Sequence, residues 1–392
     1  MVWGDLLNEL NPIESCYRRL QAKGRSILKL FTGNPNEHGI VFPTDILQDA
    51  YQHFFKAPLY HPHPKGQAAA RQAIADYYLS QRLPFDPENI LLTSGTSESF
   101  LQIFAMLAEP GDNVLVPNPS YPLFEPIAGL LHLEIKHYQL DETRNWQLDF
   151  ASLDATVDAK TRALVLVSPN NPTGSVHDDA ELEKLIAWAK QRELAIVCDE
   201  VFAEFFFAGG ALPRPASHRP DLLFTLNGIS KMFALPAMKL SWIAVSGQSK
   251  RVRLAVEALE TSNDTFLTCN SAIQAALPEL FARGMPFLEG YRAEVERRLG
   301  ICEELLGDCP GLRWVKPRGG FYLTVEVLEP RGLSEEAWVI RLMEQAGVFV
   351  HPGYFFDYEQ GVHFVISFLT EEATLREALG RLRAFLSAQP NP

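Results

Sequence analysis

The sequence predicts an α/β fold, with a large domain on a mostly parallel, helix-covered sheet and a smaller α+β domain beside it. Three observations carry this expectation. Short apolar runs recur without polar alternation, as strands buried on both faces require. Amphipathic helical stretches separate several of these runs, so strand and helix alternate. From about residue 276 onward the texture changes to a long helix followed by strands and a closing helix.

In chain order the apolar runs are NILLTSG (89–95), NVLVPNPSYP (113–122), RALVLVSPNNPTG (162–174), LAIVCDEVF (194–202), LLFTLNGISK (222–231) and SWIAVSG (241–247). Helical patterns fill the gaps at SFLQIFAMLAEPGD (99–112) and DDAELEKLIAWAKQRE (178–193). The second opens on acids and closes on bases, which suits the helix dipole. Further on, LEGYRAEVERRLGICEELLG (288–307) reads as a long amphipathic helix, GGFYLTVEV (319–327) and HFVISFL (363–369) as strands, and 371–387 as a final helix. These readings put the large domain at 41–275. The smaller one takes 1–40 and 276–392.

With 392 residues, 47% of them hydrophobic, the chain has enough apolar surface for a sizeable core. Its net charge of −13 and the lack of a basic stripe argue against nucleic acid as a partner. The five cysteines are scattered, with neither metal-ligand spacing nor a disulfide framework. No metal site is expected, and the thiols read as those of a reducing, cytoplasmic compartment. The sequence shows no secretory leader and no apolar run of membrane-spanning length.

Open α/β sheets bind ligands beyond the carboxyl ends of their strands. The polar ends of the runs above are Ser94–Ser97, Asn118–Tyr121, Asn170–Gly174, Asp199 and Lys231. Gly95, Thr96 and Ser97 follow a strand and open a helix, as an anion cradle does, and equally as an ordinary helix cap does. The turn SPNNPTG is by itself a loop rich in turn formers. Asp199 leaves an apolar run, where a carboxylate is costly unless paired, and a buried salt bridge would also satisfy it. Lys231 follows another strand end. A lysine partly desolvated near a second cation, here Lys239, becomes a nucleophilic amine, whereas the ordinary fate of either lysine is a surface charge. Taken together, a phosphate cradle, an acid, an amide donor and an amine describe the needs of pyridoxal phosphate.

The chain resembles the fold-type-I pyridoxal-phosphate aminotransferases of class I/II, whose large domain has the aspartate-aminotransferase-like architecture. The likeness runs from TGNP (32–35) to HPGYFF (351–356), with SPNNPTG, DEVF (199–202) and SKMFALPAMKLSW (230–242) in family order. The resemblance implies that Lys231 forms the Schiff base with the cofactor and then shuttles the proton. It makes Asp199 the partner of the pyridine nitrogen and Asn171 the donor to the phenolic oxygen. Gly95, Thr96 and Ser97 become the phosphate loop, with Lys239 assisting, and Tyr121 stacks on the ring. Tyr60, in YHPHPKG (60–66), matches the tyrosine that reaches the partner subunit's phosphate, so a homodimer with shared sites is expected. Gly33 matches the glycine that closes over substrate. The implied reaction moves an amino group from an amino acid to a 2-oxo acid.

The chain departs from the family at three positions. Lys239 stands where relatives carry arginine, which keeps the charge and loses the bidentate fork. Phe202 replaces the tyrosine of DEVY-type members. Val365 stands where most relatives clamp the substrate carboxylate with arginine. Arg318 is the preferred substitute, with Lys316 and His363 as the other nearby cations. These departures leave open a transaminase for an amine or amino alcohol without a carboxylate, or a lyase or decarboxylase using the same cofactor.

Overall fold

The computed structural model describes residues 11–56, 62–267, 269–358 and 360–388, apart from the side chain of His53. Its strands, in chain order, begin with β1 (Leu28–Lys29), β2 (Ile90–Thr93), β3 (Asn113–Asn118), β4 (Glu134–Asp141) and β5 (Gln147–Leu148). Next come β6 (Thr161–Val167), β7 (Ala195–Asp199), β8 (Leu222–Gly228) and β9 (Ser241–Gly247). The last are β10 (Leu312–Trp314), β11 (Tyr322–Val327), β12 (Val348–Phe349), β13 (His351–Pro352) and β14 (His363–Ser367).

By internal contacts the chain forms two units. The larger comprises Asn34–Glu294 together with Pro317–Gly320, and the smaller takes the segment up to Gly33, Val295–Lys316 and everything from Phe321 onward. Residues 34–40 and 276–294, which the sequence reading groups with the smaller domain, have their contacts in the larger unit.

The larger unit is built on an eight-stranded sheet of order β2-β9-β8-β7-β6-β3-β4-β5. Pairing from β8 through β7, β6 and β3 to β4 is parallel. β9 runs antiparallel to both β2 and β8, and β5 antiparallel to β4. The unalternated apolar runs do become strands buried on both faces: β2, β3, β7 and β8 are buried along their whole length. One face carries Val114, Val165, Val197, Phe224 and Ile243, packed with Phe100 and Phe104 from the helix Thr96–Leu107 and with Leu259 from the helix Ser249–Phe266.

The helix expected over 288–307 is longer than the sequence suggests. It runs from Ser271 to Leu306 and passes through Pro278 and Pro286. Each proline removes one backbone donor. Ile273, Leu277 and Leu280 are nonetheless fully buried, and this packing holds the first turns helical.

The smaller unit holds an antiparallel sheet of order β10-β11-β14-β13 and a parallel pair, β1 with β12, in which Leu28 faces Val348. Trp338 stacks on Phe364 at 4.8 Å and meets Phe385 edge-on. Glu335 accepts hydrogen bonds from the backbone of Tyr354 and His363, which fixes the aromatic loop 353–358 against β14. All five cysteines are unpaired, and no described helix is long and apolar enough to cross a membrane.

Candidate active site

Strand direction brings the predicted residues to one edge of the large sheet. β2, β3, β6, β7 and β8 all run the same way, so their carboxyl ends share that edge. Register makes the alignment specific: Thr93 at the end of β2 faces Ser241, and Ser241 faces Gly228 at the end of β8. Val167 faces Asp199, and Asp199 faces Leu226. Gly95–Ser97, Tyr121, Asn171, Asp199 and Lys231 therefore leave the sheet on the same side. Lys239 joins them because β9 is antiparallel and begins at this edge.

Gly95 is the N-cap of the helix Thr96–Leu107 and supplies no side-chain cap. The Thr96 and Ser97 amides have no backbone acceptor, as the first donors of a helix do not. The helix start is held in place from behind. Thr93 Oγ1 and Ser99 Oγ share a hydrogen bond of 2.8 Å, and Gln102 donates to Asn263, which donates to the Leu92 carbonyl. The result is a fixed, uncapped cluster of N–H groups at the positive end of a helix, suited to a phosphate.

The turn after β6 is organised by Asn170. Its Oδ1 accepts from the Thr173 backbone and hydroxyl, and its carbonyl accepts from Gly174. Asn171 takes no part in this network. It is buried, and its Oδ1 has no partner. Ser120, beside Tyr121, is fully buried with its hydroxyl also unpartnered, while Tyr121 is half exposed.

Asp199 is buried at the end of β7 and accepts one hydrogen bond, from the Val201 amide at 3.0 Å. Burial lifts its carboxyl from the ordinary 3.8 to about 7, with the neighbouring Glu200 charge adding to the effect. Lys231 lies in the single helical turn Ile229–Met232 that follows β8. Burial lowers its ammonium from 10.5 to about 8, so far more of it is free amine near neutrality than of an ordinary lysine. Lys239 is exposed and adopts a left-handed backbone, with φ of 53°. The pair of lysines thus divides into a desolvated amine and a solvated cation.

These features fit pyridoxal phosphate. A buried acid short of partners suits a pyridinium nitrogen, unsatisfied polar atoms at Asn171 and Ser120 suit a polar ligand, and the open helix start suits its phosphate.

A profile of the family "Aminotransferase class I and II" matches residues 29–382. The chain belongs to the class I and II aminotransferase family. The aminotransferase is 33% identical over 384 residues to the glutamate-pyruvate aminotransferase of Haemophilus influenzae, covering 96% of this chain and 94% of the relative. It is 30% identical over 392 residues to the alanine aminotransferase of Mycobacterium tuberculosis, at 97% and 91% coverage. An aminotransferase of Escherichia coli superposes with a TM-score of 0.88 at 28% identity, covering 97% and 96% of the two chains. An alanine aminotransferase of Pyrococcus furiosus shares the fold, with a TM-score of 0.90 at 24% identity and 96% coverage of each. The chain is an enzyme dependent on pyridoxal phosphate, acting on an amino acid and an oxo acid.

The three family departures have clear positions in the aminotransferase. Phe202 is buried beside the start of the turn Ala203–Phe205. Val365 is 1% exposed in the middle of β14, facing Thr324 and His351 on the neighbouring strands. Of the substitutes, Arg318 belongs to the larger unit, donates to the Val176 carbonyl at 2.9 Å and lies over the Phe206 ring. Lys316 pairs with Glu303 at 2.6 Å. His363 is buried in the smaller unit and stacks on Tyr358 at 4.3 Å. Gly33 also belongs to that unit, and Tyr60 lies outside the described residues.

Two features of the aminotransferase escaped the sequence reading. The segment Pro317–Gly320 is strapped onto the Asn170 turn: the Arg318 and Gly319 amides both donate to the Gly174 carbonyl. Gly174 has φ of +66°, and a Cβ there would sit 2.6 Å from the Gly319 carbonyl. A Cβ on Gly319 would lie 2.6 Å from both the Phe205 carbonyl and Pro169. The adjacent glycines of KPRGGFYL were the available signal, since paired glycines mark close backbone approach. The second feature is a buried ion pair, Glu200 with Arg214, whose side chains are 1% and 5% exposed. Only the acid next to Asp199 hinted at it.

Proposed function

We propose that Lys231 is the amine that holds pyridoxal phosphate covalently and that moves the proton during amino transfer. The observation carrying this reading is the place of Lys231 in the turn after β8, at the strand edge it shares with Asp199, where burial lowers its pKa to about 8. When bound, the cofactor supplies an electron sink that stabilises negative charge at the substrate's α-carbon. Asp199, raised to about 7, holds a proton at the pyridine nitrogen. Asn171 orients the phenolic oxygen, and Tyr121 covers one face of the ring. The Thr96 and Ser97 amides and hydroxyls, at the turn made by Gly95, bind the phosphate with Lys239 as a solvated counter-charge.

Alanine and glutamate with their 2-oxo acids form the proposed substrate pair, supported by the names of the two curated relatives. Arg318 is proposed to bind the substrate carboxylate in place of the arginine absent at Val365, with His363 as the other candidate, and Gly33 to close over the substrate. The proposed assembly is a cytoplasmic homodimer in which Tyr60 reaches the partner's phosphate. The domain division proposed for it keeps the cofactor in the larger unit.

A second reading has one observation in its favour. Val365 is apolar and buried where the carboxylate clamp is expected, which would suit an amine or amino alcohol as donor.

The test is a single-turnover reaction with the purified enzyme, following the cofactor's absorption. Donors added singly would be alanine, glutamate, aspartate, aromatic amino acids and amines without a carboxylate. Conversion by alanine and glutamate with release of keto acid is expected. Conversion by amines alone would replace the first reading with the second. Lys231→Ala should abolish covalent retention of the cofactor, and retention of a borohydride-reducible adduct would remove Lys231 from its role.

A further inference from the structure

The larger unit contains a cavity of about 600 Å³ whose lining includes none of the residues assigned to the cofactor. Arg82, Arg214 and Arg292 line it, together with Glu204, Ser217 and Leu212. Arg82 and Arg292 are exposed, and among the described residues neither has an acidic partner. Arg214 is buried at the inner wall, where it is tied to Glu200 and to Gln81. Glu204, the acid on the wall, already accepts from the Tyr77 hydroxyl and the Gln81 amide. The loop amides of Gly210, Ala211 and Leu212 have no backbone acceptor.

Three arginines thus line one concavity; Arg214 is paired with Glu200, and Glu204 is hydrogen-bonded to Tyr77 and Gln81. On a chain of net charge −13, such a local surplus of positive charge stands out. With Glu200 already offsetting Arg214, Arg82 and Arg292 remain as the two cations that an anion in the cavity would offset. Arginine forks match planar or tetrahedral oxyanions with two or more acceptor oxygens. We propose that this cavity binds a small oxyanion, either phosphate or a short dicarboxylate, gripped by Arg82 and Arg292 against the inner wall formed by Arg214.

The proposal does not depend on which substrates the enzyme uses. It is tested on the holoenzyme with pyridoxal phosphate in excess, so that the phosphate cradle at Gly95–Ser97 is filled. Inorganic phosphate and succinate would be titrated in separate calorimetric experiments at fixed ionic strength while the cofactor's absorption band is recorded. The expected result is saturable binding of at least one of them, with the band unchanged. Arg82→Ala and Arg292→Ala should each weaken that binding about tenfold, the loss of a charge-assisted hydrogen bond. Binding of phosphate alone or succinate alone identifies the oxyanion class. Both variants lie on the surface, so folding is not at stake. Three results would each overturn the site: no saturable binding at about 10 mM ligand, an unchanged affinity in the double variant, or a cofactor band that shifts in step with binding.

Discussion

Gly228 and Ser241 face each other across β8 and β9 so closely that a Cβ on Gly228 would lie 2.3 Å from the Ser241 hydroxyl. It would also lie 2.9 Å from the Leu240 carbonyl. The backbone of Gly228 is extended, so the glycine serves space rather than conformation. Gly228→Ala should therefore destabilise the larger unit by about 1–3 kcal/mol through overpacking. Because Lys231 follows three residues later, cofactor retention should fall as well. Urea unfolding checks this, and an unchanged midpoint would show that the two strands part at no cost.

Glu200 and Arg214 form an ion pair whose side chains are almost fully buried beside the end of β7. Removing one partner strands the other. Arg214→Met is expected to cost about 3–5 kcal/mol, and adding Glu200→Gln should recover much of that loss. A double-mutant cycle on thermal unfolding reads the coupling directly. Additive losses would mean that the pair contributes through packing alone.

Asp199 and Lys231 imprint opposite pH dependences on the stability of protein stripped of its cofactor. The carboxyl of Asp199 is raised from 3.8 to about 7, so its contribution is complete at low pH and is lost as pH rises through about 7. Lys231 is lowered from 10.5 to about 8, so its contribution is complete above 10.5 and is lost as pH falls through about 8. Asp199→Asn should flatten the acid limb of the stability profile and Lys231→Met the alkaline limb. Denaturant midpoints between pH 4 and 10 would reveal both limbs, and identical profiles for wild type and variants would contradict the burial argument.

In its proposed role as counter-charge to the phosphate, Lys239 offers a point charge rather than a two-pronged fork. With Lys239 exposed, the substitution Lys239→Arg fits without repacking. It should tighten pyridoxal phosphate about three- to tenfold, and Lys239→Ala should loosen it by a similar factor. Equilibrium dialysis against free cofactor measures both. If neither variant changes the affinity, Lys239 is only a surface charge.

Phe202 lacks the hydroxyl that a tyrosine would offer as a second donor beside the proposed one of Asn171. In Phe202→Tyr the added donor should favour the ionised phenolic oxygen and lower the cofactor's spectral pKa by about one unit. The titration is read from absorption alone, and an unmoved midpoint would separate this position from the ring.

Much of the fold was legible because unalternated apolar runs permit few arrangements. A run such as AIVCD buries both faces, so it belongs inside a helix-covered sheet. The acid that ends it then stands out, as does the lysine following the run that ends at Gly228. The start of the helix at Ser271 was not legible, because Pro278 and Pro286 read locally as breaks while the burial that overrides them is tertiary. The pairing of Glu200 with Arg214 was hidden for a similar reason. They lie 14 positions apart across a stretch with one short turn, Ala203–Phe205, and no local period predicts where such a loop returns. Ser120 went unremarked beside the more conspicuous Tyr121, since a serine in a turn signals nothing until its burial is known.

The pairing of Leu28 with Val348 links residues 320 positions apart in the chain. During synthesis at about 5–20 residues per second, the β1 segment waits roughly 15–60 s before its β12 partner exists. Throughout that interval Ile13, Cys16, Leu20 and Leu30, all buried in the finished protein, have no C-terminal surface to cover them. Within the smaller unit, the segment made first is thus among the last to be covered.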